Sequence, residues 1–450
     1  MNPANRSRVV IATALIIALF LAAWFMLSPV TALLYLSTGL ATAVIVLGLN
    51  IQWGYAGLFN AGILGFIALG GYAVMWVSVP PVPEAIAAGG AGLLSVIVKL
   101  AVTAICIWVL HLAAKRLPIN LPVWLLRTLQ VSIALAGYIW MKTEFVIAVE
   151  AIETADTLDQ TMKGFIGGLG LPVLLGWAVG GVFAGIAAWF IGKVTLGLRS
   201  DYLAIATLGI AEIIRTFLKN ADWLTRGTLT VSPIDWPVPT PREMNGMLES
   251  GLEINLKWLG ISAEQTATAV GRGLFIAVSA IVLIILVLMM ERALGSPWGR
   301  MMRAIRDNED AAAAMGKNVV RRQLEVFVLG AILMGIGGAM LVSLNTLFDP
   351  SSYHPPRYTF LIWTMLIVGG SGNNLGAVFG ALFIYMLWEM SEPIAQFLFF
   401  GGADMLTALI PGFEPPVDLA SRASQMRVIV IGVALIATMR YAPKGVIPER

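Results

Sequence analysis

The sequence predicts an all-α polytopic membrane protein, with about ten transmembrane helices plus a re-entrant or short-helix hairpin. Composition, run length and loop charge predict it. Of 450 residues, 58% are hydrophobic and only 12% charged, whereas a soluble domain carries roughly 25% charged residues. Many apolar runs approach the ~20 residues that cross a hydrocarbon core of about 30 Å. Basic residues collect in alternate loops, as they do on the inner side of a membrane.

The same numbers exclude other classes. A pI near 9.0 is the Lys and Arg excess of inner loops, not a nucleic-acid signal. One cysteine, Cys106, rules out an intrachain disulfide framework. The two histidines, His111 and His354, lie far apart and suggest no metal or haem centre.

Taken in order, Arg6 and Arg8 precede an uncharged run at 9–27. It exceeds the usual 7–15 residues of a signal-peptide core, so an uncleaved anchor is expected. Further spans are expected at 33–51, 54–79, 93–113, 121–141, 172–191, 202–219, 273–290, 324–344 and 427–440. The stretch 358–390 is ambiguous, because Gly369-Gly370-Ser371-Gly372-Asn373-Asn374 divides it. Parity constrains it. If the N-terminus lies inside, the basic loop at 291–323 returns inside, and 324–344 leads out. A basic tail at 441–450 belongs inside only if 358–390 enters and leaves on one face, as a re-entrant hairpin or two short spans. Backbone broken at membrane depth must be covered by protein or line a cavity, so Gly370 and Ser371 are candidate pathway residues. The acidic segment 144–159 (Glu144, Glu150, Glu153, Asp156, Asp159) and the Pro-rich, aromatic segment 220–271 then fall outside. The latter reads either as a loop packed on the bundle or as a docking surface for another protein.

The basic loop carries its own small helix. Asp307 or Asn308 can cap it, and Glu309 and Asp310 occupy the first turn, where the helix dipole favours anions. Four alanines follow, from Ala311 and Ala312 to Ala314, and Gly316 is the natural stop. About eight residues span ~12 Å, too short to cross a membrane. Arg292, Arg300, Arg303, Arg306, Lys317, Arg321 and Arg322 surround it. A solvated interhelical loop is the simpler reading, and the loop alone does not decide.

Other motifs add weight. Gly54-Tyr55-Ala56-Gly57 is followed by Asn60-Ala61-Gly62 and Ala68-Leu69-Gly70-Gly71-Tyr72; such glycine density inside a span invites close helix approach or a break. Next come Leu198-Arg199-Ser200-Asp201-Tyr202-Leu203-Ala204, Glu212-Ile213-Ile214-Arg215, Arg226-Gly227-Thr228, the 369–376 glycines and Ala442-Pro443-Lys444-Gly445-Val446. In this order, around the loop Arg306-Asp307-Asn308-Glu309-Asp310-Ala311-Ala312, they resemble the branched-chain amino acid ABC transporter permease family, M-type subunit. The resemblance covers roughly 33–79, 168–235, 273–390 and 427–448.

That resemblance implies a single permease domain over 1–450, in the inner membrane of a bacterium, with both termini cytoplasmic. It implies partners: a second permease subunit, two cytoplasmic ATPase subunits, an extracytoplasmic solute-binding protein and membrane lipid, with no nucleic acid. Arg306, Asn308, Glu309, Ala311, Ala312 and Gly316 would form the coupling helix that docks on the ATPase. Gly54, Gly57 and Asn60, with Gly370 and Ser371, would line the translocation pathway. Branched-chain or other hydrophobic amino acids are the implied cargo; urea and short amides are the alternative.

The departures matter too. Leu58, Asn60 and Ile63 stand where the family often has Gln, Ser and His, and Ser200 replaces a glycine. The interval 80–165 holds an inserted pair of spans, and 391–426 also looks extended. Glu212 and Arg215 are spaced to pair across one helical turn. Charge in a span is costly and marks functional suspects, for gating or a partner interface, although a self-neutralising pair facing another helix is the more ordinary explanation. Lys99 and Arg127 are expected to snorkel or sit at helix ends.

No phosphate-binding Gly-x-x-x-x-Gly-Lys-Ser/Thr loop occurs, so ATP is expected in partner chains and no cofactor or enzymatic activity in this one. An ion-coupled secondary transporter remains the competing class, with Glu212 as its clearest candidate. A channel would give no reason for the Ala-rich helix.

Overall fold

The computed structural model describes residues 3–116, 122–157, 162–250, 254, 256–409 and 418–449. Among the described residues the chain is helical, with only isolated bridges at Pro81–Gly167 and Leu196–Leu198 in place of strands. It divides into two compact units: Met1–Ser78, Leu171–Thr216 and Pro233–Arg450 in one, Val79–Gly170 and Phe217–Ser232 in the other.

In the first unit, α13 (Val319–Asn345) is the central helix, packed by α2 (Pro29–Leu49), α3 (Ile63–Ser78) and α6 (Val173–Thr195). Its composition explains the position. Gly330, Gly335, Gly337 and Gly338 bring its backbone against Gly48, Gly180, Ala41 and Ile67, and a Cβ at any of them would overlap those neighbours. Small residues replace hydrophobic exclusion as the driving force in lipid, because close approach maximises dispersion contact. Phe327, Met334 and Met340 fill the space between, all buried. Around this core lie α1 (Pro3–Met26), α10 (Ala263–Gly295), α14 (Leu361–Gly369), α15 (Asn374–Leu409) and α16 (Leu419–Tyr441).

The second unit is a helical hairpin of α4 (Pro83–Arg116) and α5 (Val123–Thr154). Gly89, Gly92 and Gly137 let the helices approach, and Val82, Ala85 and Ile152 close one end against Met162, Ile166 and Trp223. A short helix, α8 (Asp222–Thr225), packs there. Lys99 does not sit at a helix end: it pairs with Glu144 across the hairpin and lies 4.9 Å from the Trp140 ring centroid. Glu144, Glu150 and Glu153 sit on α5 rather than in a loop, because the helix runs well past the expected end at 141. Asp159, expected in the same acidic segment, lies outside the described residues, as does Arg450 of the tail.

Among the described residues, nine helices are long and apolar enough to cross a membrane, and Ile63–Ser78 and Arg357–Gly369 are shorter apolar helices. Two of the ten expected spans differ. The run 54–79 is not one helix. α2 continues into a π-helical turn, Asn50–Tyr55, and an irregular segment then precedes α3. The run 202–219 lies in α7 (Ser200–Asn220), which carries Asp201, Glu212, Arg215 and Lys219 on an otherwise apolar helix and falls outside that apolar class. The ambiguous 358–390 forms two helices, α14 and α15, and α15 continues through Pro393 to Leu409. Within the extended stretch 391–426, Glu392 of α15 meets Arg427 of α16.

The segment 220–271 holds α9 (Pro241–Glu249), opened by a capping box between Thr240 and Glu243. Trp236 packs on Phe275 of α10, with centroids 5.6 Å apart.

Candidate functional site

Polar residues in an apolar bundle must find partners, since a lone buried donor costs about 1–3 kcal/mol. In the first unit these obligations converge on the irregular segment 56–62 and on the turn between α14 and α15. Gly57 turns the chain with φ +69, a conformation that costs other residues about 1–2 kcal/mol. Beyond it the backbone groups are satisfied by distant side chains. Ala61 N donates to Thr207 Oγ1 at 3.2 Å, Trp363 Nε1 donates to the Asn60 carbonyl at 3.1 Å, and Thr359 Oγ1 donates to the Ala61 carbonyl at 3.4 Å. The break is therefore covered by protein, as broken backbone at membrane depth requires.

Asn60 is fully buried. Its Nδ2 donates to Gln52 Oε1 at 2.8 Å, its Oδ1 accepts from Gly62 N at 2.8 Å, and Gln52 Nε2 donates to the Phe327 carbonyl at 2.7 Å. It was placed by sequence among pathway residues; in this conformation its side chain is occupied in tying the break to α13.

Gly54 and Gly57 lie at the other end of the break, beside the basic loop. A Cβ on Gly54 would overlap Asn50 Oδ1 and the Gly372 backbone, and one on Gly57 would press on Arg306. Arg306 donates to the Gly54 carbonyl and pairs with Glu449 at 3.1 Å and Asp307 at 3.3 Å. Burial lowers the pKa of Arg306, but Glu449 and Asp307 outweigh it, so the guanidinium is held above its ordinary range. Asn50 then joins the break to the α14–α15 turn: its Oδ1 accepts from Gly372 N at 2.8 Å and its Nδ2 donates to Asn374 Oδ1 at 3.0 Å. Asn374 continues to Glu291 at 3.3 Å. Gly370, with φ +116, is buried against Ile447, while Ser371 is half-buried.

The loop itself consists of α11 (Pro297–Asp307) and α12 (Glu309–Ala314). α11 is amphipathic and buries Met302 and Ile305. Asn308 rather than Asp307 caps α12, accepting from Ala311 N at 2.9 Å. Six residues long instead of about eight, the helix ends at Ala314 with Met315 as its C-cap, and Gly316 turns away with φ +75. No α12 residue is buried, Ala311 is exposed, Ala312 is half-exposed, and Met315 is 79% exposed. Beside it opens a cavity of about 380 Å³, lined by Gly57, Leu58, Arg199, Arg306, Glu309 and Gln323 among others.

On another side of the break, Phe59, Leu208, Phe360, Trp363 and Ile367 line an apolar groove of about 500 Å³. Trp363 stacks on Phe59 at 4.5 Å, and Trp53 meets both edge-on at 5.3 and 5.5 Å. Glu212 and Arg215 are not part of either group; they pair on α7 at 2.5 Å, and the buried Arg215 Nε has no partner among the described residues.

Gln52, Asn50, Thr207, Trp363, Asn374, Glu291 and Glu449 were not among the residues singled out by sequence. Asn50 and Gln52, polar residues closing the apolar run 33–51, were the available signal. Asn374 lay in the 369–374 run that divides 358–390, and the others have none, since their partners are distant in sequence.

This architecture agrees with the comparison of the chain with known families. The family described as branched-chain amino acid transport system / permease component matches residues 31–439. The chain belongs to that family. Among its relatives is the probable branched-chain amino acid transport permease protein LivM of Methanocaldococcus jannaschii, 26% identical over 36% of this chain and 43% of the relative. The high-affinity branched-chain amino acid transport system permease proteins LivM of Salmonella typhimurium and Escherichia coli K12 are 24% and 27% identical, over 47% and 48% of this chain. The chain spans about half the length of the curated relatives it matches, 43% to 52%. No solved structure matches it. As a permease of this family it is a multi-pass membrane protein, and the family match takes in the break, the basic loop and the α14–α15 turn.

Proposed function

We propose that this permease is a subunit of an ATP-driven ABC importer, forming the pathway for branched-chain or other hydrophobic amino acids and driven by separate ATPase subunits. The observation that carries the reading is α12: a capped, stiff helix whose Ala-rich surface touches little of its own chain. A surface of small side chains lets another protein's backbone approach closely. Its exposed Glu309 and Asp310 and the neighbouring arginines supply polar contacts that orient such a dock. α12 would be the coupling helix, and α11, anchored through Met302 and Ile305, would carry its movement to Gly54 through Arg306.

The basic loop and the tail meet through Arg306 and Glu449, so they share one side of the membrane. The density of Arg in that loop favours the cytoplasm, and an inner-membrane location with both termini cytoplasmic is part of the proposal. A second permease subunit would complete the pathway, two ATPases would dock on α12 and its counterpart, and a solute-binding protein would deliver cargo from outside. The apolar groove at Phe59 and Trp363 suits a hydrophobic side chain better than urea, which needs hydrogen-bond partners throughout. An ion-coupled mechanism is less favoured, because Glu212 already has Arg215 as its counter-charge.

The test is uptake by the assembled complex in proteoliposomes. Leucine uptake should require ATP on the α12 side and persist when proton and sodium gradients are collapsed. Uptake that follows an ion gradient without ATP, or selects urea over leucine, would replace this reading.

A further inference from the structure

The chain does not stop at α16. Ala442–Glu449 turns back across the end of α14, beyond the residues matched to the family. A helix end leaves carbonyls without partners, and here the tail supplies them. Val446 N donates to the Val368 carbonyl and Ile447 N to the Gly369 carbonyl, both at 3.0 Å. Gly445, with φ +79, lies flat against Gly370, where a Cβ on either residue would overlap the other strand. Asn373 Nδ2 donates to the Pro448 carbonyl at 3.0 Å. The segment ends with Glu449 on Arg306, two residues before the Asn308 cap of α12.

We propose that Ala442–Glu449 is a strap that transmits movement of the α11–α12 loop to the α14–α15 break, with Glu449 as its positioning residue. The strap follows the backbone of Val368–Gly370 at one end and holds the loop by a charge-assisted bond at the other. Arg306 is shared between Glu449 and the Gly54 carbonyl. A displacement of α11 therefore acts on two helix breaks at once, on 54–62 directly and on 370–373 through the tail. Hydrogen-bonded backbone is stiff along its length, so a shift of the loop reaches Gly370 without passing through the central helices. Without the strap the 370–373 turn is held by the side-chain hydrogen bonds of Asn50 to Gly372 and Asn374.

The proposal rests on the docking role of α12, and the test separates the two. In the assembled complex, ATP hydrolysis and leucine uptake are measured together for Glu449→Gln, Glu449→Asp and the unaltered chain. Glu449→Gln should assemble and hydrolyse ATP, with the number of ATP molecules spent per leucine rising about fivefold or more, the lower range of energetic coupling between sites. Glu449→Asp, which keeps the charge, should recover part of the loss. Asn373→Ala, which removes the bond from the break to the Pro448 carbonyl without touching α11, should raise the same ratio. If the unaltered complex shows no ATP-driven uptake, the importer reading fails. If it transports and the ratio is unchanged in Glu449→Gln and Asn373→Ala, the strap proposal is overturned. Loss of complex yield in these variants with the ratio per surviving complex unchanged overturns it too, since the tail then only supports the fold.

Discussion

Glu309→Arg is expected to abolish uptake, by more than about tenfold, while leaving the complex assembled and its helices intact. Glu309 is exposed at the first turn of α12, so inside this chain its loss costs only a helix-dipole interaction of about 0.3–1 kcal/mol. Across an interface the reversal acts differently, because a like-charge juxtaposition costs several kcal/mol. Gly316→Leu tests the same surface by geometry. No atom lies where its Cβ would go, yet φ is +75, so the exit of α12 would turn to a new direction at a cost of about 1–2 kcal/mol. Normal uptake by a fully assembled Glu309→Arg complex would remove α12 from the coupling path.

Asn60→Leu is expected to lower stability by about 2–5 kcal/mol, read as loss of complex yield and of thermal midpoint in detergent. The change strands Gln52 Oε1 and Gly62 N inside the protein, each a penalty of about 1–3 kcal/mol. Asn60→Asp keeps the acceptor for Gly62 but buries a carboxylate against Gln52 Oε1, and should cost at least as much. If instead yield and midpoint are normal and uptake drops, Asn60 belongs to the pathway and the hydrogen-bonded knot is incidental.

Much of this was legible in the sequence because it is local. A polar cap, four alanines and a glycine specify α12 within ten residues; the structure selects Asn308 from the two caps expected and makes the helix six residues long rather than about eight. Eight of the ten expected spans follow from run length, and the stretch 358–390, expected as a hairpin or two short spans, holds two helices. The glycine-rich interval around 56–62 was readable as either a close helix approach or a break, and the sequence did not choose between them. Whether 54–79 continues as one helix depends on Thr207, Thr359 and Trp363, which lie about 150 to 300 residues away and have no pattern in common. Asn60 looked like a residue for cargo because it is the one amide in an apolar stretch; its burial depends on Gln52 and α13. α5 ran past its expected end because an acidic segment can be helical when Lys99 on the facing helix pairs with Glu144. Glu449 carried no signal, since a charged residue at the end of a chain is ordinarily solvated.

The central claim is that α12 is the contact with an ATPase on the cytoplasmic side, and cross-linking tests it most directly. Cys106 is the only native cysteine, so Cys106→Ala provides a silent background for Ala313→Cys at the exposed middle of α12. In inside-out vesicles Ala313→Cys should be labelled by an impermeant maleimide when the ATPase has been stripped, and should be protected and cross-linked to the ATPase when it is present. Labelling from outside intact cells, or equal labelling with and without the ATPase, would contradict the account.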